Sequence, residues 1–103
     1  MSNPIVTQTG TELTVSSDAL AEGMELEHRQ VIRAVRNYMD NLERFGRVDF
    51  ENQPFATAGG TQVREVAHLT EPQATFLLTS FRNIGRVAEF KVKLVQEFYR
   101  MRQ

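Results

Sequence analysis

The chain has 103 residues, enough for one domain with a core, and its 41% hydrophobic content argues against disorder. It has no cysteine, which excludes disulfides and thiolate metal sites, and we expect neither a leader nor a membrane span. The net charge of −1 is unevenly spread: residues 1–27 and 48–80 sum to −5 and −3, whereas residues 28–47 and 81–103 sum to +3 and +4.

A short β-hairpin is predicted at the start of the chain, within residues 1–15. Threonine and other β-branched residues lie on both sides of Gly10, which predicts strands over residues 5–9 and 13–15 that turn near this glycine. We expect this hairpin to lead directly into the first helix.

Residues 16–42 are predicted to form a helix-turn-helix. Ser16 offers an N-cap for a first helix over Asp18–Glu22, and Gly23 is expected to end or loosen that helix. The apolar spacing then predicts a second helix over Glu27–Leu42.

Apolar residues of both helices fall at the buried positions of such a motif: Leu20, Ala21, Met24, Leu26, Val31 and Ala34. Glu25 stands where the turn of the motif usually has glycine, and Gly23 comes two residues earlier. A longer or differently shaped turn therefore stays open.

Three arginines of the second helix, Arg29, Arg33 and Arg36, are four and three residues apart and therefore share one helix face. A helix pair with a basic outer face suits the DNA major groove, where arginine can bind guanine O6 and N7 together. The predicted contacts are His28, Arg29, Gln30 and Arg33 for the bases, and Arg36, Arg44, Arg47 and Arg64 for the DNA backbone. The alternative is an ordinary solvated face, neutralised by Glu25, Asp40 or Glu43.

Residues 45–69 are predicted to form a second β-hairpin that could act as a wing. Polar and apolar residues alternate over Arg47–Glu51, as in a half-buried strand, and Pro54 with its neighbours is expected to interrupt that strand. The glycine pair within Ala58–Thr61 is the strongest turn signal, after which Val63–Leu69 returns as the partner strand.

Residues 70–103 are predicted to form two closing helices. Thr70 can cap the first, Gln73 occupies the capping-box position, and the helix is expected to extend to Phe81. The last helix carries apolar residues at steps of three and four: Val87, Phe90, Leu94, Phe98 and Met101. This line either covers the core or leaves a stripe for a second subunit, so a homodimer through the C-terminal helix stays open.

Several blocks in the same order make the sequence resemble a known family: His28–Val31, Phe45–Val48, the Gly59–Gly60 turn, Leu69–Asn83, Phe90–Lys91 and Leu94–Val95. The chain resembles the phage regulatory proteins of the Rha family over roughly Val15 to Arg102. The resemblance implies a phage or prophage origin and a regulatory role in the bacterial cytoplasm. It also implies DNA binding by a winged-helix-like domain, with His28, Arg29 and Gln30 among the contacts.

We therefore predict one α+β domain over residues 1–103, a winged helix-turn-helix-like fold with an N-terminal β-hairpin and two C-terminal helices. Its leading function is regulation by binding double-stranded DNA. The alternative is an adaptor or antirepressor that binds a host or phage protein without touching DNA. The sequence has no nucleophile–base pair, metal-ligand cluster or phosphate loop. We expect no enzymatic activity, metal, cofactor or membrane partner.

Overall fold

The computed structural model describes residues 5–103, so the first four residues of the predicted 1–15 segment lie outside the described part. In that part four strands form one sheet: β1 Val6–Thr9, β2 Glu12–Ser16, β3 Asp49–Thr57 and β4 Gly60–Thr70. The helices are α1 Ser17–Met24, α2 His28–Asn37, α3 Met39–Leu42, α4 Glu71–Leu78 and α5 Val87–Arg102, with a 3₁₀ turn at Glu43–Phe45. The predicted α+β class is confirmed.

The sheet is antiparallel throughout, with the strand order β1-β2-β4-β3. The predicted N-terminal hairpin is confirmed, and its turn includes Gly10, whose φ of +64° is a conformation that favours glycine. Strand β2 also pairs with β4, which places Val15 opposite Leu69. The N-terminal hairpin therefore extends the same sheet as the β3–β4 hairpin and is not a separate unit.

Strand β3 is longer than predicted, because it continues through Pro54 to Thr57 with Pro54 opposite Val63. The predicted interruption at Pro54 is wrong for a topological reason. Strand β3 lies at the edge of the sheet, where a proline that has no N–H group need not remove a hydrogen bond from the ladder. Only the strand order, which the local sequence does not reveal, makes this proline acceptable.

The single helix predicted over Glu27–Leu42 is divided into α2 and α3. Tyr38 separates them with φ −109° and ψ 20°, outside the helical range, although its N–H still bonds to the Ala34 carbonyl at 3.0 Å. The Tyr38 ring packs edge-to-face on Phe76 of α4, with 5.9 Å between ring centroids. Beyond the break, Leu42 of α3 is fully buried in the core.

The two predicted closing helices are confirmed, although α4 ends at Leu78 and not at Phe81. Thr70 is the N-cap of α4, and the Gln73 side chain accepts a hydrogen bond from its N–H at 2.9 Å, as the capping-box pattern predicts. Helix α5 buries one face in the core through four residues of the predicted apolar line: Val87, Phe90, Leu94 and Phe98. Met101, the fifth, stays partly exposed at 36%.

Helix α1 continues through Gly23 to Met24, so the prediction that this glycine ends the helix is wrong. Its role is to let α5 approach closely. A Cβ atom at position 23 would lie 2.0 Å from two carbons of the Phe90 ring, which itself is only 6% exposed. The contact between Gly23 and Phe90 fixes α1 against α5 and therefore sets the orientation of α1 relative to α5.

Candidate nucleic-acid interface

The junction between α1 and α2 is a tight turn through Glu25, Leu26 and Glu27. Glu25 adopts a left-handed conformation, with φ 59° and ψ 43°, that glycine usually supplies at helix ends. Its N–H bonds to the Glu22 carbonyl at 3.2 Å, and the Leu26 N–H bonds to the Ala21 carbonyl at 2.9 Å. Glu25 therefore ends α1 in the conformation that glycine usually adopts there. The turn between α1 and α2 is short, so the open possibility of a lengthened turn does not apply.

Helix α2 has a buried face and an outer face. Val31 and Val35 are completely buried in the core. The other side of the helix is exposed, and three of the predicted contact arginines lie there. The exposed residues are Arg29, Gln30, Arg33, Arg36 and Asn37. The sequence therefore predicted the direction of this basic face, because the apolar spacing already separates it from the core.

The first turn of α2 uses two of the predicted contact residues in local interactions. The Arg29 guanidinium lies 3.2 Å from a carboxylate oxygen of Glu27, and both side chains are well exposed. The Gln30 side-chain oxygen accepts a hydrogen bond from the Glu27 N–H at 2.9 Å, which caps the helix. Arg33, one turn further, is exposed and has no ion pair or side-chain hydrogen bond within residues 5–103.

Arg36 connects α2 to the β3–β4 hairpin. Its guanidinium forms an ion pair with Glu65 of β4 and lies over the Phe50 ring of β3, 5.7 Å from the ring centroid. Arg36 therefore spans the gap between the helix and the hairpin, and it holds their outer surfaces next to each other.

Arg64 and His28 lie at the base of the same junction and are turned towards α1. Arg64 of β4 donates through Nη2 to one carboxylate oxygen of Asp18 at 2.8 Å, and the same nitrogen lies 2.7 Å from the other oxygen in an ion pair. Its guanidinium also lies over the Phe55 ring. The Nε2 atom of His28 lies 2.7 Å from the Ser17 hydroxyl, which accepts a hydrogen bond from the Ala67 N–H. Both side chains tie α1 and α2 to the sheet.

Burial lowers the pKa of His28 below its usual value, and Asp18 opposes this effect only in part. The ring is therefore neutral near pH 7, so the Ser17 hydroxyl can donate to its Nε2 atom while also accepting from Ala67. With its side chain only 16% exposed, His28 is positioned to brace the helix pair more than to reach a DNA base.

Arg44 and Arg47 lie on the segment that joins α3 to β3. Both side chains are exposed, and neither has an ion pair among the described residues 5–103. The buried side chain of Gln73 fixes this segment, because its Nε2 atom donates to the Gly46 carbonyl at 2.8 Å. Two free guanidinium groups are therefore held on an anchored stretch of backbone.

The eight predicted contact residues fall into three groups. Arg33, Arg44 and Arg47 are free of ion pairs within the described part of the chain, whereas Arg29, Arg36 and Arg64 each pair with a carboxylate: Glu27, Glu65 and Asp18, respectively. His28 and Gln30 form the third group, whose side chains bond within the protein. The partners expected for a solvated face were Glu25, Asp40 and Glu43. Of these, Glu25 lies 3.8 Å from Arg86 at the start of α5.

Outside this region, His68 Nε2 lies 2.6 Å from a carboxylate oxygen of Glu51, and this hydrogen bond is the main cause that lowers the pKa of Glu51. Residues 5–103 contain no group of three or more histidine or acidic side chains placed to hold a metal ion. Within the same residues, no helix is long and apolar enough to cross a membrane.

Comparison with known proteins places the chain among the phage regulatory proteins. Over residues 15–103 it matches the family model of phage regulatory protein Rha, and it belongs to that family. The match confirms the resemblance seen between Val15 and Arg102. A comparison with curated proteins found no match, and a comparison with solved structures found none either.

Proposed function

We propose that this phage regulatory protein binds double-stranded DNA through a winged helix-turn-helix. In this proposal α1 and α2 are the helix-turn-helix, the β3–β4 hairpin is the wing, and α2 enters the major groove. The observation that carries the proposal is the outer face of α2, where Arg33 is exposed without an ion pair in residues 5–103, one turn from Arg29.

The arrangement of the elements supports this proposal. The tight turn at Glu25 joins the two helices, and Leu20 and Met24 of α1 are buried in the same hydrophobic core as Val31 of α2. The β3–β4 hairpin follows the helices in the chain, and the Arg36–Glu65 ion pair keeps it beside α2. A helix-turn-helix followed by such a hairpin is the order of elements in winged helix-turn-helix proteins.

The free and paired arginines are suited to different tasks. Arg33 and Arg29 are assigned to base edges, because an arginine in the major groove can hold guanine with two hydrogen bonds. The exposed side chains of Arg44 and Arg47 are assigned to phosphates, which position the protein without reading sequence. Arg36 and Arg64 are assigned a supporting role, since each already forms an ion pair within the protein, with Glu65 and Asp18 respectively.

The experiment is a fluorescence-anisotropy titration of a phage-DNA duplex pool at several salt concentrations. With about two to four phosphate contacts, the log–log salt slope is expected to lie between about −2 and −4. The Arg33→Ala variant is expected to lose roughly 1–3 kcal/mol of specific affinity. The Arg44→Ala/Arg47→Ala variant should make the slope shallower by about 1.8, because two phosphate contacts are lost.

Arg82→Ala is the matched control, because Arg82 is also exposed and has no ion pair in the described residues, but lies between α4 and α5. It removes the same charge outside the proposed interface and should leave binding nearly unchanged. Equal losses for Arg33→Ala and Arg82→Ala would contradict a groove-reading role for α2. No binding at low salt by the folded protein would contradict the whole proposal.

A regulator that binds a protein partner is the second candidate. It is favoured by the carboxylates that already neutralise Arg29, Arg36 and Arg64, and by a net charge of −1. Both features reduce the phosphate attraction that supplies most nonspecific DNA affinity. The same titration separates the two candidates, because an adaptor of this kind would be folded and show no salt-dependent binding to any duplex.

A further inference from the structure

Helix α5 carries a second apolar stripe besides the one that it buries. Val92, Val95 and Tyr99 are 56%, 54% and 59% exposed, and the exposed Ala88 continues the same line towards the start of the helix. Single exposed apolar residues are normal on protein surfaces, but a contiguous line along one helix is typical of an interaction site.

The spacing of the stripe is that of helix pairing. Its members follow one another at steps of four, three and four residues, which is the a/d pattern of two helices packed side by side. The buried line of Phe90, Leu94 and Phe98 lies on a neighbouring face. Helix α5 can therefore keep its place in the core while the stripe packs against another helix.

The charges beside the stripe favour a second copy of this chain in the antiparallel direction. Glu89 and Arg100 lie on the same flank, one near each end of the helix, with exposed side chains, and each also lies 3.7 Å from an opposite charge of its own helix, Lys93 and Glu97 respectively. An antiparallel pair places Glu89 of each copy near Arg100 of the other, whereas a parallel pair places like charges together. These two end charges therefore favour the antiparallel direction, which the twofold axis of an isologous interface allows.

We propose that two copies of the chain associate through the exposed stripes of antiparallel α5 helices. Val92 of one copy lies opposite Val95 of the other, and Ala88 lies opposite Tyr99. Two Glu89–Arg100 pairs flank this contact, one at each end. The interface uses no residue assigned to DNA, so it can form with or without DNA binding.

The experiment is sedimentation equilibrium of the full chain without DNA, at protein concentrations from about 1 to 300 μM, the range suited to a small, weak interface. A monomer–dimer equilibrium is expected. Val92→Glu and Val95→Glu should each raise the dissociation constant at least about tenfold, because each places two charges in the apolar contact. Val63→Glu is the matched control, since Val63 is 65% exposed but lies on the wing, and it should leave the dimer unchanged.

Charge reversal tests the antiparallel direction. Glu89→Arg and Arg100→Glu should each weaken the dimer about threefold to tenfold. The double variant should dimerise more tightly than either single variant, because the pairs between the copies are re-formed, although each reversed charge then lies beside a like charge of its own helix, Lys93 or Glu97. Circular dichroism confirms that each variant is folded. A monomer over the whole concentration range would overturn the proposal. A dimer insensitive to Val92→Glu, or a double variant weaker than both single variants, would overturn it equally.

Discussion

Replacing Gly23 with alanine tests the close packing of α1 against α5. The added methyl group would lie 2.0 Å from two carbons of the Phe90 ring and 2.7 Å from a third. The Phe90 side chain is nearly buried, so it cannot turn away into solvent without leaving the core. Either α1 and α5 must separate, or the ring must leave its preferred rotamer.

The expected magnitude follows from two opposing effects. Alanine in a helix is favoured over glycine by about 1 kcal/mol. Overpacking a well-packed core costs typically about 1–3 kcal/mol, and the short distances to Phe90 place this substitution near the upper end. We therefore expect Gly23→Ala to lower the free energy of unfolding by about 1–2 kcal/mol. The melting temperature should fall by roughly 4–16 °C.

The assay is urea unfolding followed by circular dichroism. Gly59→Ala is the control, because the only heavy atom found near a Cβ at Gly59 is 4.0 Å away, so the change should be within about 0.5 kcal/mol. The Gly23→Ala/Phe90→Leu double variant should be more stable than the sum of the two single effects predicts, because the smaller side chain relieves the clash. A Gly23→Ala protein more stable than the original would refute the close contact.

Three further predictions concern the turn, the cap and the buried histidine. Glu25→Gly should stabilise the protein by about 0.5–1 kcal/mol in thermal unfolding, because glycine adopts the left-handed conformation without steric cost. Gln73→Leu should destabilise it by about 2–4 kcal/mol in urea, since the Thr70 N–H and the Gly46 carbonyl lose their partner. The contribution of His28 to the free energy of unfolding should be fully present above about pH 6.5. It should be lost as the pH is lowered through the depressed pKa of His28, because the unfolded chain binds the proton more readily than the folded protein.

Each of these results has a contradicting outcome. A loss of stability in Glu25→Gly would mean that the glutamate side chain, and not its backbone, shapes the turn. A Gln73→Leu protein as stable as the original would show that the buried amide does not hold the segment before β3. For the histidine, His28→Gln should flatten the stability profile below pH 6.5, the usual histidine pKa, whereas an unchanged profile would assign it to other groups.

Local signals in the sequence predicted the elements that local interactions hold. Gly10 marks the first hairpin, and Thr70 with Gln73 marks the start of α4, because a turn or a cap depends on residues that are neighbours in the chain. The apolar spacing of α2 and α5 likewise separates buried from exposed residues. The direction of the basic face therefore follows from the sequence alone.

The remaining features depend on residues far apart in the chain. Whether Pro54 can stay in a strand depends on that strand lying at the edge of the sheet, and whether Gly23 is needed depends on where α5 passes. The partners of Arg36 and Arg64 are Glu65 and Asp18, which are 29 and 46 residues away. No periodicity or motif encodes these pairings, so the division of the arginines into free and paired groups required the fold.

Amide chemical-shift mapping tests DNA binding by α2 most directly. The ¹⁵N-labelled protein is titrated with a phage-DNA duplex at low salt, and the shift change of each backbone amide is recorded. We predict the largest changes in α2, from Arg29 to Asn37, and on the segment from Arg44 to Arg47, with little change around Val92. No shift changes in α2, or changes concentrated on α5, would contradict recognition of DNA by the helix-turn-helix.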